Sequence, residues 1–336
     1  MDAKELARVS IGALLETRQA LLVDGAMGTE LFARGLTAGD PPEEWNVDIP
    51  DKVVDVHAGY IEAGSDIILT NSFGGTAFRL KLHKLNDRVF ELNEAAAKVG
   101  RTAADAVDRP VIVAGSMGPS GELLAPLGEM TPETCAAAYE AQAAGLTAGG
   151  ADLLWVETMS SLDEVTAAVE GARRSSDLPI AATLSFDTVG RTMMGVTGEE
   201  AAKRLTDLGL AAIGANCGNN VAETESAVLQ IKAGAGDTPV IVKSNAGVPE
   251  FRGDKLVYNG SPEVMGAHVN RMMDAGVQII GGCCGTSTEH LSFMRGVIDG
   301  TIAAPDIAAP GPDRPDGPTD GGEGRGARRS RRRRAS

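Results

Sequence analysis

The chain has 336 residues, 43% of them hydrophobic and 23% charged, with a formal net charge of −15. That length and composition suit one large globular α/β core. The acidic balance disfavours nonspecific attraction to nucleic acid, no run approaches the ~20 apolar residues of a membrane helix, and the four cysteines are too few for a disulfide framework. The first residues are polar and mixed in charge, unlike a secretory signal, so a cytoplasmic location is expected. Thiols there stay reduced and free to bind metal.

Short apolar runs alternate with longer helical patterns. Strands are expected at Ala20–Asp24, Asp66–Thr70, Pro110–Ala114, Asp152–Glu157, Pro179–Ser185, Ala211–Ala215, Pro239–Lys243 and Gln278–Gly281. Between them, segments such as Val53–Ala63, Cys135–Ala148 and Pro262–Ala275 space their apolar residues near 3.6. Thr131-Pro132 and Ser261-Pro262 read as an N-cap followed by proline at the first helical position. Glycines at 64, 149, 150 and 276 close helices. Strands alternating with helices imply parallel pairing through right-handed crossovers. Eight such units favour a (β/α)8 barrel over a doubly wound open sheet, with residues 1–304 as one domain. After about Pro305 the chain turns to Pro, Gly, Asp and Arg, ending in Arg331-Arg332-Arg333-Arg334. Residues 305–336 therefore read as a disordered, solvated tail; an RNA-contacting arm is the alternative, which the absence of interleaved aromatics disfavours.

In a barrel, chemistry sits at the C-terminal ends of the strands. The first ends in Asp24-Gly25-Ala26-Met27-Gly28-Thr29, a carboxylate followed by glycines. This turn either holds a zwitterion, Asp24 taking the ammonium and the backbone N–H groups the carboxylate, or is a tight turn whose Asp24 caps the next helix. The fourth ends in Glu157-Thr158. Two acids around one mouth suit a substrate amine, or else pair with a neighbouring cation.

The strongest signal is cysteine. Asn216-Cys217-Gly218 follows the sixth strand and Gly281-Gly282-Cys283-Cys284-Gly285-Thr286 the eighth, so one parallel sheet would deliver three sulfurs to the same end. Adjacent cysteines do not readily bridge each other. Three thiolates make an incomplete tetrahedral site of the kind found in catalytic zinc, and thiolates favour zinc among the common metals. Cys135 lies within a helix and reads as core; His57, His83, His268 and His290 fall away from the strand ends. An electron-rich site of this kind suits binding a substrate thiol as a fourth sulfur, deprotonating it while leaving it nucleophilic.

These residues resemble the homocysteine S-methyltransferase family, which includes the N-terminal module of vitamin-B12-dependent methionine synthase and the betaine–homocysteine methyltransferases. The likeness rests on Asp24–Leu31, Glu157-Thr158-Met159, Gly214–Gly218 and Gly281–Thr286, spread across nearly the whole body. It implies a zinc barrel that converts homocysteine to methionine, with Cys217, Cys283 and Cys284 as ligands. Asp24 and Glu157 would hold the amino-acid end, with backbone near Gly25 and Thr29 and with Asn216 beside the ligands. Thr70–Gly75 and Val248–Gly253 look most like bacterial sequences assigned to betaine enzymes, and Trp45 would cover a quaternary ammonium by a cation–π contact. The expected donor is therefore betaine; S-methylmethionine, dimethylsulfoniopropionate and a corrinoid protein are the alternatives, and a zinc-binding scaffold with an RNA-contacting tail is a non-enzymatic one. No cobalamin- or folate-binding module is expected within the 336 residues, and a homo-oligomer is expected.

Overall fold

The computed structural model describes residues 9–252 and 255–309. In chain order the strands are β1 (Leu21–Leu22), β2 (Ile67–Leu69), β3 (Ile112–Met117), β4 (Leu153–Met159) and β5 (Ile180–Leu184). There follow β6 (Ala212–Cys217), β7 (Val240–Ser244), β8 (Pro249–Arg252), β9 (Lys255–Tyr258) and β10 (Ile279–Gly282). Eight of them form one parallel sheet in the order β1-β10-β7-β6-β5-β4-β3-β2, and a Val23–Ile67 bridge joins its two outer strands. The result is a nearly closed (β/α)8 barrel. All eight expected strands are present. The β8–β9 antiparallel hairpin, which the sequence reading missed, follows β7 and so belongs to the loops at the C-terminal face.

Side-chain alternation divides the core in two. Leu21, Ile67, Ile112, Leu153, Trp155, Ala212, Ile241 and Ile279 meet inside the barrel, where the helix Ile11–Leu15 adds Ile11 and Leu14. The intervening residues, such as Leu22, Ile68, Val113, Leu154, Ile213, Val242 and Ile280, pack beneath the surrounding helices. A strand buried on both faces reads as a continuous apolar run, which is why these strands stood out in the sequence. The expected helices are found over Pro50–Glu62, Pro132–Ala148 and Pro262–Asp274. Thr131 caps its helix through the Thr134 N–H, whereas the Ser261 hydroxyl instead donates to Glu263, 2.5 Å away. Among the described residues no helix is long and apolar enough to cross a membrane.

One charge cluster ties elements together at an end of the barrel. At the N-terminal face buried Asp66 accepts from the Leu22 N–H at 2.9 Å and is surrounded by Arg18, Arg109 and Arg295. Breaking such a buried ionic cluster by removing its acid would leave uncompensated charge. Residues 305–309 form no regular element, and Arg271 Nη1 donates to the Ile307 carbonyl at 2.5 Å. The remainder of the expected tail lies outside the described residues.

The tightest strand contact is at Gly214. A Cβ there would stand 2.0 Å from the Ile241 carbonyl oxygen, so β6 and β7 approach closely only because this residue is glycine. Gly214→Ala is expected to lower stability by about 3 kcal/mol, by overpacking against backbone that cannot yield. Gly28→Ala, where nothing lies within 4 Å, should be near neutral. Urea unfolding of both variants measures the difference.

Candidate metal centre and substrate site

Inward alternation continues past the apolar layers and becomes polar at the strand ends. Beyond Ile112 and Ala114 comes Ser116; beyond Leu153 and Trp155 comes Glu157; beyond Ala212 comes Asn216; beyond Ile241 comes Lys243. The dry barrel interior thus carries a polar ceiling. The sulfurs of Cys217, Cys283 and Cys284 gather there, all within 4.8 Å of one another, as the sequence anticipated. Each cysteine is partly buried.

The convergence follows from sheet order, because β6 and β10 are both neighbours of β7. Asn245, just past β7, braces both cysteine turns: its Oδ1 accepts from the Cys284 N–H at 3.0 Å, and its Nδ2 donates to the Gly218 carbonyl at 2.6 Å. The Cys283 N–H donates to the Ser244 carbonyl at 2.8 Å. Cys217 itself lies in the left-handed region, with φ of 63°. A non-glycine residue held there is strained, and such strain persists where the surroundings over-determine it. At the edge of the site the Tyr258 hydroxyl is near enough to the Cys284 sulfur for each to shift the other's titration, and its ring lies against Gly285.

Left to themselves the three sulfurs compete for protons. Hydrogen bonds from Cys217 and Cys283 pull the Cys284 thiol down to about 3, while its sulfur neighbours hold Cys217 far above the ordinary thiol range. Three like charges this close ionise together only if a cation sits among them. The donor set therefore fits a thiophilic metal. No other group of this kind occurs among the described residues.

Thr158 also has positive φ, 60°, and the β4–β5 register shifts between Val156 and Met159. Asn216 fastens this turn: it accepts from the Thr158 N–H at 2.8 Å and donates to the Thr158 hydroxyl at 2.7 Å, while its Nδ2 reaches the Cys283 sulfur at 3.9 Å. Glu157 precedes the turn, buried, with the Ser116 hydroxyl donating to its Oε1. Burial pushes its carboxyl up to about 7 despite the opposing effects of Lys243 and Ser116.

Asp24 accepts from the Leu69 N–H at 2.7 Å and from Lys243 Nζ at 2.9 Å, so it is paired with a neighbouring cation. Gly25 is buried against the Cys283–Thr286 loop, where a Cβ would stand 2.4 Å from the Thr286 carbonyl oxygen. Thr29 is exposed in the first turn of the helix Met27–Ala33. Trp45 is half-buried near the end of β2, since the adjoining Asn46 donates to the Asn71 carbonyl at 2.7 Å. Lys52 Nζ stands 4.8 Å from the Trp45 ring centroid. The sequence reading missed Lys243 and Tyr258, while Ser116 and Asn245 stood out only weakly, as polar strand ends suited to lining a pocket. A lysine placed two residues after Ile241, on the same inward face, was the available signal for the first.

The family model for homocysteine S-methyltransferases matches residues 21–298. Methionine synthase of Mycobacterium tuberculosis (strain ATCC 25618 / H37Rv) is 33% identical over 297 residues, which is 84% of this chain and 25% of the relative. Methionine synthase of Mycobacterium leprae (strain TN) is 32% identical over 310 residues, 86% of this chain and 26% of the relative. The chain thus spans about a quarter of the length of these curated relatives. Among solved structures, the Escherichia coli homocysteine methyltransferase MmuM in its metallated form superposes with a TM-score of 0.72 at 25% identity, covering 84% of this chain and 98% of that one. Its oxidised form gives 0.71 at 26% identity, covering 85% and 98%. With a match running from the first barrel strand to the last helix, the chain belongs to the homocysteine S-methyltransferase family.

Proposed function

We propose that the chain moves a methyl group from betaine to the thiol of homocysteine, giving methionine and dimethylglycine, with a zinc ion held by Cys217, Cys283 and Cys284. The observation that carries this reading is the gathering of three thiols within 4.8 Å beside buried Asp24 and Glu157. Zinc suits a thiolate set, and when bound it supplies the positive charge that keeps a thiol deprotonated at neutral pH. The rest falls to the chain. Asn216 and Asn245 hold the cysteine turns. Glu157, with Asp24 behind it, frames the ammonium end of the amino acid, and the Gly25–Thr29 loop bounds it. The thiol gives up its proton, its sulfur takes the methyl carbon, and the donor nitrogen keeps the electrons of the broken C–N bond. Alignment is what the protein contributes, and no protein nucleophile or base is required.

Betaine is supported by the likeness of Thr70–Gly75 and Val248–Gly253 to bacterial betaine enzymes and by Trp45 near the end of β2. The alternative donors are S-methylmethionine, dimethylsulfoniopropionate and a corrinoid protein; Lys52, which already stands over the Trp45 ring, opposes a cationic donor there and so favours the last. Incubating the zinc-loaded protein with homocysteine and each donor separately decides between them. Methionine formed from betaine alone supports the first reading, and formation only from another donor supports the second.

Removing one thiolate should weaken metal binding and turnover together. In chelator competition, Cys284→Ala is expected to lower zinc affinity at least about a hundredfold and to abolish turnover. Asn245→Ala, which only loosens the turns, should lower the affinity about tenfold.

Glu157 makes the substrate's affinity depend on pH. Its carboxyl is raised to about 7, so acid below that value neutralises it and removes the partner of the substrate ammonium. KM for homocysteine should then rise by up to about tenfold per pH unit below 7, the limit for one lost charge. Glu157→Gln should raise KM at pH 8 and flatten this dependence, whereas an unchanged profile would remove Glu157 from the site.

A further inference from the structure

We propose that the cavity between the loops following β3, β4 and β5 is a second ligand site, and that it takes a small organic cation with an apolar body, a quaternary ammonium or sulfonium of net positive charge. The inference goes beyond the methyl transfer proposed above and does not depend on which donor the thiol receives.

The cavity has a volume of about 320 Å³, within the range of small-molecule pockets. Its walls are apolar. Leu123 and Leu127 come from the loop after β3, Met193 and Met194 from the loop after β5, and all four are exposed, Met193 to 74%. Apolar side chains gathered around one hollow mark a contact site, and methionine adapts its shape to what it meets. Hydrogen bonds hold the walls together. The Thr192 hydroxyl donates to the Ser160 carbonyl at 2.7 Å, joining the loop after β5 to the one after β4. Ser120, after β3, donates its N–H and its hydroxyl to Glu164 Oε1 at 2.8 and 2.6 Å.

Charge decides the ligand. Glu164 lies in the first turn of the helix Leu162–Ser175 and is 5% exposed, yet it lines the cavity. Its Oε1 takes three donors, the third being the Tyr139 hydroxyl at 3.0 Å, and among the described residues no donor engages Oε2. A buried carboxylate oxygen without a partner is destabilising, and a cation entering the cavity would relieve that. Glu122 and Asp163 are the other charged side chains of the lining. Two arginines stand nearby without lining it: Arg79 Nη1 would lie 3.2 Å from a Cβ on Gly121, and Arg191 donates to the Gly195 carbonyl at 2.9 Å. Three carboxylates set among leucine and methionine suit an ion whose charge is spread over alkyl groups. A hard metal ion would lack the ring of oxygen ligands it requires. A zwitterion would bring its own carboxylate against like charge.

Choline, its neutral isostere 3,3-dimethylbutan-1-ol and the zwitterion betaine separate charge from shape. Each is titrated at constant ionic strength into the zinc-loaded full chain, isotopically labelled at its methionine methyl groups and read by NMR. Met193→Leu and Met194→Leu assign the two signals. Choline should shift both with a Kd at least about tenfold below those of the isostere and of betaine, the effect of one charged contact. Glu164→Gln, whose amide oxygen still accepts from Ser120 and Tyr139, should weaken choline about tenfold and leave the isostere unchanged. Asp163→Asn, at an exposed position where the fold is not at stake, should weaken choline by about two- to threefold and decides the matter if Glu164→Gln does not fold. Trp45→Ala should leave the shifts in place, which separates this cavity from the cation–π position. Equal affinity for choline and the isostere would make the hollow an apolar docking groove and overturn the proposal. So would choline binding that is unchanged in the acid variants, or methionine shifts that vanish in Trp45→Ala. Turnover enters none of these measurements, so failure here leaves the methyl transfer standing.

Discussion

The site depends on one constraint: three sulfurs from two distant stretches must meet, and β7 lies between the strands that carry them. Glycine permits this on both sides. Gly214 lets β6 press against the Ile241 carbonyl, and Gly281 leaves room on β10 for Val23 and the stem of Lys243. Asn245, just past the strand between, then ties the Cys217 turn to the Cys284 turn with one side chain. The cost is local. Cys217 and Thr158 are both held at positive φ, which for a β-branched threonine is particularly unfavourable. The hydrogen bonds of Asn216 to Thr158 offset part of that strain and keep it at the mouth, where a fixed geometry is useful.

A barrel interior is packed side chain, with no pore through it, so whatever stands above its apolar layers does so on a dry floor. Trp155 illustrates the boundary: its ring belongs to the inner apolar cluster, its Nε1 donates to the Thr183 hydroxyl at 3.2 Å, and the Lys243 ammonium stands over it. One residue further along the same face of β4, the chain places a carboxylate. Low polarity beneath strengthens every charge interaction above it, which is why Asp24, Lys243 and Glu157 influence one another and the cysteine sulfurs. The opposite face uses its charges differently. Asp66 with three arginines there has no adjoining thiols and serves to hold strands and helices together.

The fold was legible in the sequence because burial on both faces writes each strand as an unbroken apolar run, and helix signals such as Thr131-Pro132 punctuate the intervals. The cysteines were legible because strand ends in a parallel barrel share a face, so three thiols on two ends had to be near one another. Lys243 was not read because a charge closing an apolar run looks like the solvent boundary of a strand; only the alternation with Ile241 turns it inward. Asn245 was only weakly legible, as a polar strand end, and Tyr258 not at all, for another reason. Their importance lies in which turn they touch, and loop geometry after β7, including the β8–β9 hairpin, leaves little periodic trace. Asp24 was read with two alternatives open, and its pairing with Lys243 is the neighbouring cation that one of them required.

On the betaine reading proposed above, no acid–base constellation is needed beside the thiols. Transfer of a methyl group from a cationic nitrogen to sulfur needs a nucleophile that is already ionised and a leaving group that departs neutral, so no proton has to be delivered in the transition state. What remains is alignment, and alignment is served by rigid anchors at both ends of the acceptor. One end is a set of sulfurs fixed by strand order and by Asn245; the other is the charged ceiling of the barrel. Both rise from the same β7–β10 pair, through Lys243 in register with Gly281 and Cys283 bonded to the Ser244 carbonyl. Because these neighbouring strands are held in register, the span between the two anchors is fixed, and a fixed span is what an aligned acceptor requires.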